Sequence, residues 1–421
     1  MGIARHEAES REATPTYGFD SGNNSSNYLK AELLKTMLQR IYVDNFRCLV
    51  NFQLTIDSLT LFLGANGSGK TTVFDVLRKL QIFILGSQSL TRDYLVSDLF
   101  TAQDLTRWQK SDIQKFELDI QGNGGIYKYT LEIQHLGEYA QPRMRREILT
   151  FNEQPLFDFW VDADDRGMPV GQARLYNDDP DREGAFLSFF DWSRSGVGHV
   201  YERHDNQKLT WFKKRIANFF IVQINPLAME SESRHEASYP SWDMSNYAAW
   251  YSYLSQEFQG KTIKLTLELQ KIIAGFDSFQ NTKSGEVRIL SAAFTRPSKA
   301  AYRLEELSHG QKALIALYTL IYCCPDDNFT LCIDEPENFL ALPEIKPWWS
   351  MVMDYCLENE AQAMLISHHP LLINYLASNS GYWFERKDNA AVRFQRINDT
   401  DADGLSVAKL IELGWIYDEE R

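Results

Sequence analysis

Leu61-Phe62-Leu63-Gly64-Ala65-Asn66-Gly67-Ser68-Gly69-Lys70-Thr71-Thr72 decides how this chain is read. The three leading apolar residues predict the end of a buried strand. Gly64, Gly67 and Gly69 make a loop with few side chains, so its backbone N–H groups can close around phosphate oxygens. Val73, Phe74, Val76, Leu77 and Leu80 carry helical spacing, and a helix starting at Lys70 adds free donors and partial positive charge at its N-terminus. Strand, G-x-x-x-x-G-K-[ST] and helix in this order are a P-loop. Residues Gly64 to Thr72, including Ala65, Asn66, Ser68 and Gly69, form its cradle. Lys70 reaches the β- and γ-phosphates of ATP, and Thr71 ligates Mg²⁺.

Working outward, three downstream stretches supply partners for that loop. Leu331-Cys332-Ile333-Asp334-Glu335 is an apolar strand ending in two carboxylates, a Walker B pattern. Asp334 suits Mg²⁺ held through water, and Glu335 suits a general base on the attacking water. Leu307-Ser308-His309-Gly310-Gln311 precedes an apolar helix and leaves backbone donors free for an anion at its start. Ala363 to Ser367 is a further apolar strand, followed by His368, which can donate to a γ-phosphate oxygen. Alone, each has a plainer reading: acids capping a helix, an ordinary N-cap, a structural histidine. Their order along one chain separates these readings.

That order resembles ABC-class ATPases. The chain is similar to the ATPase heads of RecF, SMC and OLD-type proteins, and most of all to the compact bacterial "AAA family" ATPases of that group. The opening Val43-Asp44-Asn45-Phe46-Arg47 and the run Asp334-Glu335-Pro336-Glu337-Asn338 carry the likeness, which extends over about residues 38–415. It implies an α/β P-loop NTPase of ABC/SMC-head type with an antiparallel β lobe and a helical insertion. It also implies a homodimer that closes on ATP, one subunit giving Gly64–Thr72, Asp334, Glu335 and His368, the other Ser308, Gly310 and Gln311. Two departures stand out. Asn338 to Pro343 lacks the group's L-H-P, and the Q-loop glutamine is unplaced, with Gln114 and Gln121 as candidates.

The remaining chain is organised around this head. Residues 1–27 are polar and are expected to be disordered; 28–114 form the N-terminal half of the head, 115–300 a lobe and insertion, and 301–421 the C-terminal half. A helix is expected over Leu29–Leu38, then strands at Arg40–Phe46 and Asn51–Ile56. Period-two alternation from Lys115 to Val161, with turn residues Gly122 to Gly125, predicts four antiparallel strands. Residues 162–200 read as loop with a short helix. Helices in two pieces around Gly260 are expected from Ser245 to Phe276, and a strand at Val287–Phe294. A last helix covers Ser406–Leu413. Asp399 to Gly404 reads as an acidic turn, because an EF-hand glutamate would fall on Leu410.

Composition narrows the function. A formal net charge of -14 over 421 residues gives no global attraction for nucleic acid or an acidic membrane. The basic clusters Arg143, Arg145, Arg146 and Lys213, Lys214, Arg215 read as solvated faces. The five cysteines read as buried thiols without metal-binding spacing. The longest apolar run, Ala313–Cys324, is too short to span a bilayer, so a cytoplasmic protein is expected. Lys70 and Ser308 are separated by 237 residues without heptads, unlike a cohesin-type arm, and the 53 residues after His368 are too few for a Toprim nuclease domain. The expected function is an ATP-driven switch acting on a separate effector protein or a nucleic acid, of the kind seen in anti-phage or mobile-element defence modules. The alternatives are a DNA-repair or OLD-like enzyme acting directly on DNA, and a module that holds ATP without turnover; Glu335 speaks against the last.

Overall fold

The computed structural model describes residues 37–86, 94–137, 141–179, 181–324, 328–358 and 361–397. The expectations for residues 1–27, Leu29–Leu34, Asp399–Gly404 and Ser406–Leu413 lie outside this range. Met37 and Leu38, read from sequence as a helix end, instead open strand β1 (Met37–Asp44), which pairs antiparallel with β2 (Phe52–Thr55). Gln362 fixes this strand start by bonding both the N–H and the carbonyl of Leu38.

β3 (Leu59–Gly64) leads into helix α1 (Lys70–Leu85), as its apolar spacing predicts. A short helix α2 (Val96–Leu99) and a 3-10 turn (Ala102–Asp104) precede the lobe. The four expected lobe strands are β4 (Ile113–Gly122), β5 (Gly125–Gln134), β6 (Arg143–Phe151) and β7 (Gln154–Ala163). The next segment corrects the sequence reading. Residues 162–200 contain two more strands, β8 (Pro169–Leu175) and β9 (Ala185–Ser188), besides the expected short helix α3 (Gly196–His199). On β8 the fully buried positions are Gly171 and Ala173, and β9 is exposed throughout. Small buried residues on β8 and the lack of any buried face on β9 leave no hydrophobic alternation, which hid both strands.

Helix α4 (Gln207–Ala217) corrects a second reading. Lys213 and Arg215 are buried, and only Lys214 of that cluster is solvated. Lys213 donates from Nζ to the carbonyls of Gly198 (2.7 Å) and Val200 (2.9 Å), and burial pushes its pKa down to about 8. Of the other cluster, Arg145 is exposed, while Arg143 and Arg146 are half-buried. Glu147 is fully buried beneath α3 and accepts hydrogen bonds from Tyr129 (2.9 Å), Ser195 (2.6 Å) and the N–H groups of Gly196 (2.7 Å) and Val197 (3.3 Å). Its carboxylate clamps α3 to the lobe.

β10 (Phe219–Val222) and the two-residue β11 (Glu232–Ser233) lead to helices α5 (Tyr247–Glu257) and α6 (Gln259–Ile272). The break falls at Phe258, with Gly260 inside the first turn of α6. Gly275 at φ 78 ends the helical stretch, so Phe276 opens β12 (Phe276–Ser284) instead of closing a helix. β13 (Val287–Phe294) and β14 (Ala300–Arg303) complete this insertion. The C-terminal half then alternates α7 (His309–Tyr322), β15 (Thr330–Asp334), α8 (Leu342–Glu358), β16 (Gln362–Ile366), α9 (Pro370–Ser380), β17 (Gly381–Glu385) and β18 (Arg393–Arg396).

The strands form an eight-stranded antiparallel sheet ordered β2-β1-β4-β5-β6-β7-β8-β9, a six-stranded sheet ordered β10-β15-β16-β3-β17-β18, and a small sheet of β11 to β14. The six-stranded sheet is parallel except for the largely exposed β18, and its parallel strands are buried on both faces. Alternate residues of each strand enter different cores. Phe62, Cys332, Met364 and Ile366 join α1 and the lobe, whereas Leu61, Leu63, Leu331, Ile333 and Leu365 join α5 to α9. Such two-faced burial explains why these strands read as continuous apolar runs. Parallel strands all end at one edge, and there the residues after β3, β15 and β16 meet.

Candidate nucleotide site

The loop between β3 and α1 takes the shape that its glycines allow. Gly64, Gly67 and Gly69 lie at φ 135, 79 and 101, where other residues are strained. A Cβ on Gly64 would also collide with the Phe384 carbonyl oxygen. Lys70 is buried at the start of α1, and its Nζ donates to the carbonyls of Gly64 (2.7 Å) and Ala65 (3.0 Å). Burial lowers its pKa, while Asp334 and Glu335 oppose the shift. An ammonium held by two neutral carbonyls and, at 3.5 Å, the Ser68 hydroxyl can turn toward phosphate oxygens.

The Thr71 hydroxyl donates to Asp334 Oδ2 at 2.7 Å, joining α1 to the end of β15. Burial pushes the Asp334 carboxyl up to about 6, against the Thr71 hydrogen bond, and repulsion from Glu335 adds to the rise. A hydroxyl and a carboxylate side by side are hard oxygen donors, and they fit Mg²⁺ bound mainly by phosphate and water. Among the described residues no group of three or more His, Cys, Asp and Glu side chains could hold a metal by itself. Glu335 turns off the strand at φ 51, its N–H donating to the Ile366 carbonyl (2.9 Å). Asn338 Nδ2 holds Glu335 Oε2 at 2.7 Å, which leaves the other oxygen 3.9 Å from His368 Nε2. Burial and the Lys70 charge lower the His368 pKa. Glu337 fixes the histidine from below, accepting from Ser367 Oγ (2.7 Å) and the His368 N–H (3.1 Å).

These residues line one cavity of about 710 Å³. Asn66 to Thr72 form its floor, with Asp334, Glu335, Ile366 and His368 on its walls. Ser308, Gly310 and Gln311 are not part of it. Ser308 caps α7 in a reciprocal pair with Gln311, and Gly310 lies against the Phe339 carbonyl. Ser308 is exposed, and His309 stacks edge-on against Phe339. The Leu307–Gln311 segment therefore rests on the loop after β15.

A model of the family described as "AAA domain, putative AbiEii toxin, Type IV TA system" matches residues 59–374, three quarters of the chain. The chain belongs to this AAA-domain family. A 71-residue stretch is 37% identical to an OLD nuclease of Thermus scotoductus, covering 17% of this chain and 13% of that protein. The chain thus matches only a small part of that relative's length. Among solved structures it is similar to an Smc head bound to the C-winged helix domain of ScpA (13% identity, TM-score 0.46, 85% of this chain and 98% of that one). It is also similar to an Smc head with an extended coiled coil, bound to the C-terminal domain of ScpA derived from Pyrococcus furiosus (11% identity, TM-score 0.42, 90% and 99%).

The AAA-domain cavity also holds residues that sequence reasoning passed over. Gln103, Leu105, Arg107 and Trp108 line it from the loop before β4, Arg386 from the turn after β17, and Arg47 and Cys48 from the turn after β1. Only the Asn45-Phe46-Arg47 likeness signalled any of them. Neither candidate glutamine reaches the cavity lining. Gln114 is fully buried, bonding the carbonyls of Asn45 and Asp104 and the His135 ring, and Gln121 lies in β4 on the lobe. Gln223 follows β10, whose Val222 pairs with Ile333, so it stands level with Asp334 at the same sheet edge. An apolar strand ending in a polar residue was the available signal. All five cysteines are buried and outside any disulfide, and among the described residues no helix is long and apolar enough to cross a membrane.

Proposed function

We propose that this AAA-domain protein binds and hydrolyses Mg-ATP and uses closure around ATP, as a homodimer, to switch a separate effector protein or a nucleic-acid transaction. The observation that carries the reading is the meeting of Lys70, the Thr71–Asp334 pair, Glu335 and His368 in one cavity with the glycine loop. Bound Mg²⁺ would neutralise charge developing on the transferred phosphoryl group. The loop N–H groups and Lys70 orient the phosphates, and Thr71 and Asp334 hold the metal. Glu335, held by Asn338, accepts the proton of the attacking water. His368, whose pKa is lowered by burial and the Lys70 charge, donates to the γ-phosphate. Gln223, although it too lies outside the cavity lining, suits the unplaced Q-loop role through its level with Asp334.

Ser308 at an exposed helix start supports a composite site, completed by a second copy. On this reading residues 28–114 and 301–421 are the two halves of the head, and 115–300 the lobe and insertion. The family description favours a place in defence against phage or mobile elements, and a cytoplasmic setting goes with that role. The experiment is light scattering with and without Mg-ATP. Glu335→Gln should keep nucleotide binding, lose hydrolysis by about 10²–10⁴-fold, and accumulate as an ATP-dependent dimer. Adding Ser308→Arg should abolish the dimer. Equal association of Glu335→Gln with and without ATP, or no effect of Ser308→Arg, refutes the composite site.

A further inference from the structure

The far end of the cavity presents an exposed tryptophan on a tightly held turn. Trp108 is 50% exposed and lines the cavity with Leu105, Arg107 and Gln103. Exposure of so large an apolar side chain is usually a loose-loop feature, but this backbone is fixed from several directions. Asn45, nearly fully buried, donates to the carbonyls of Ser111 (2.8 Å) and Ile113 (2.9 Å) and accepts from the Thr106 N–H (3.2 Å). Arg47 bonds Asp104 through both its backbone N–H (2.7 Å) and its guanidinium (2.9 Å), and Lys79 reaches the same carboxylate (2.9 Å). The Gln109 N–H closes the turn on the Thr106 carbonyl at 3.0 Å, with Arg107 and Trp108 at its tip.

The direction of the cavity gives this indole a task. Thr71, Asp334, Glu335 and His368 mark the end that suits hydrolysis. Arg47 also pairs with Asp75, one turn further into α1 (2.9 Å), so the Asp104–Trp108 loop flanks the helix beyond the phosphate cradle. A triphosphate laid over the loop with its γ-group toward Glu335 sends the nucleoside toward that loop. We infer that Trp108 stacks on the nucleobase, with Arg107 beside it, so that the site selects nucleotides by the flat face of the base, purines overlapping the indole most. Stacking requires a π-face, not a hydrogen-bond pattern, and is therefore tolerant of base identity. Arg107 has no carboxylate partner among the described residues and is free to lie over the base or meet the α-phosphate.

This inference rests on the nucleotide-site reading, and the test separates the two. Affinities for ATP and for inorganic tripolyphosphate, which lacks the base, are measured by calorimetry on the full chain and on Trp108→Ala, Trp108→Phe and Lys70→Ala. Base stacking predicts that Trp108→Ala weakens ATP by about five- to a hundred-fold and leaves tripolyphosphate within about twofold. Trp108→Phe keeps most of the ATP affinity. Lys70→Ala loses both ligands. Unchanged ATP affinity in Trp108→Ala, a matching loss of tripolyphosphate, or a Phe variant as weak as the Ala variant overturns the stacking role. Retention of both ligands by Lys70→Ala overturns the phosphate site itself.

Discussion

Replacing Asp334 by Asn should make the nucleotide-free protein more stable while removing the Mg²⁺-dependent hydrolysis proposed above. Asp334 is 3% exposed, and burial raises its carboxyl from an ordinary 3.8 to about 6. A carboxyl raised on folding binds its proton more tightly in the folded state. Its contribution is therefore fully present below about pH 4 and is lost as pH rises through 6. Above that, the charged side chain costs the empty protein about 3 kcal/mol, from roughly two pH units at 1.36 kcal/mol each. Asparagine keeps the shape and an oxygen for the Thr71 hydroxyl but carries no charge. Lys70 retains the Gly64 and Ala65 carbonyls. Thermal unfolding with chelator and without nucleotide should show the Asp334→Asn variant melting a few degrees higher than the native protein at pH 8. The gap should close near pH 4, where the native aspartate is itself neutral. An equal or lower midpoint at pH 8, or a gain of the same size at both pH values, refutes a buried charge as the cause.

Lys70→Ala should abolish binding of a fluorescent ATP analogue in equilibrium titration, because the β- and γ-phosphates lose their only cation on the loop; unchanged affinity refutes the P-loop reading. Gly64→Ala should yield much less folded protein than Gly67→Ala, measured by soluble yield and melting. Both replace positive-φ glycines, at about 1–2 kcal/mol of backbone strain each, but a Cβ at Gly64 also strikes the Phe384 backbone while one at Gly67 meets nothing within 4 Å. Glu147→Gln should lower the unfolding midpoint by an amount equivalent to about 1–3 kcal/mol. An amide in that buried position turns a donor toward Tyr129, Ser195 or the α3 N–H groups; a midpoint like the native protein's would show that the clamp contributes nothing.

Patterns carried by adjacent residues, and their places at the ends of elements, were legible in the chain alone. A loop that wraps phosphate needs its glycines, lysine and threonine within a few positions, and Gly64 to Thr72 display them in order. Asp334 and Glu335, His368 and the Ser308 cap could be found because each closes or opens an element whose apolar period is plain. The lobe strands β4 to β7 were readable because large residues alternate with polar ones. Where the buried residues were small, as at Gly171 and Ala173 of β8, the pattern vanished. Lys213 and Arg215 read as solvent-facing because nothing in their neighbourhood announces the Gly198 and Val200 carbonyls or the Thr330 hydroxyl that receive them. The cavity's outer wall, from Cys48 to Trp108 and Arg386, was invisible for the same reason, Arg47 alone being signalled by a family likeness: segments far apart in sequence meet there. The raised pKa of Asp334 belongs to the tertiary structure too, since it depends mainly on burial, with the Thr71 hydroxyl and the Lys70 charge brought in by folding to oppose the shift. Spacing along the chain fixes local geometry and local chemistry, but burial and electrostatic environment are set by neighbours that only folding brings within a few ångströms.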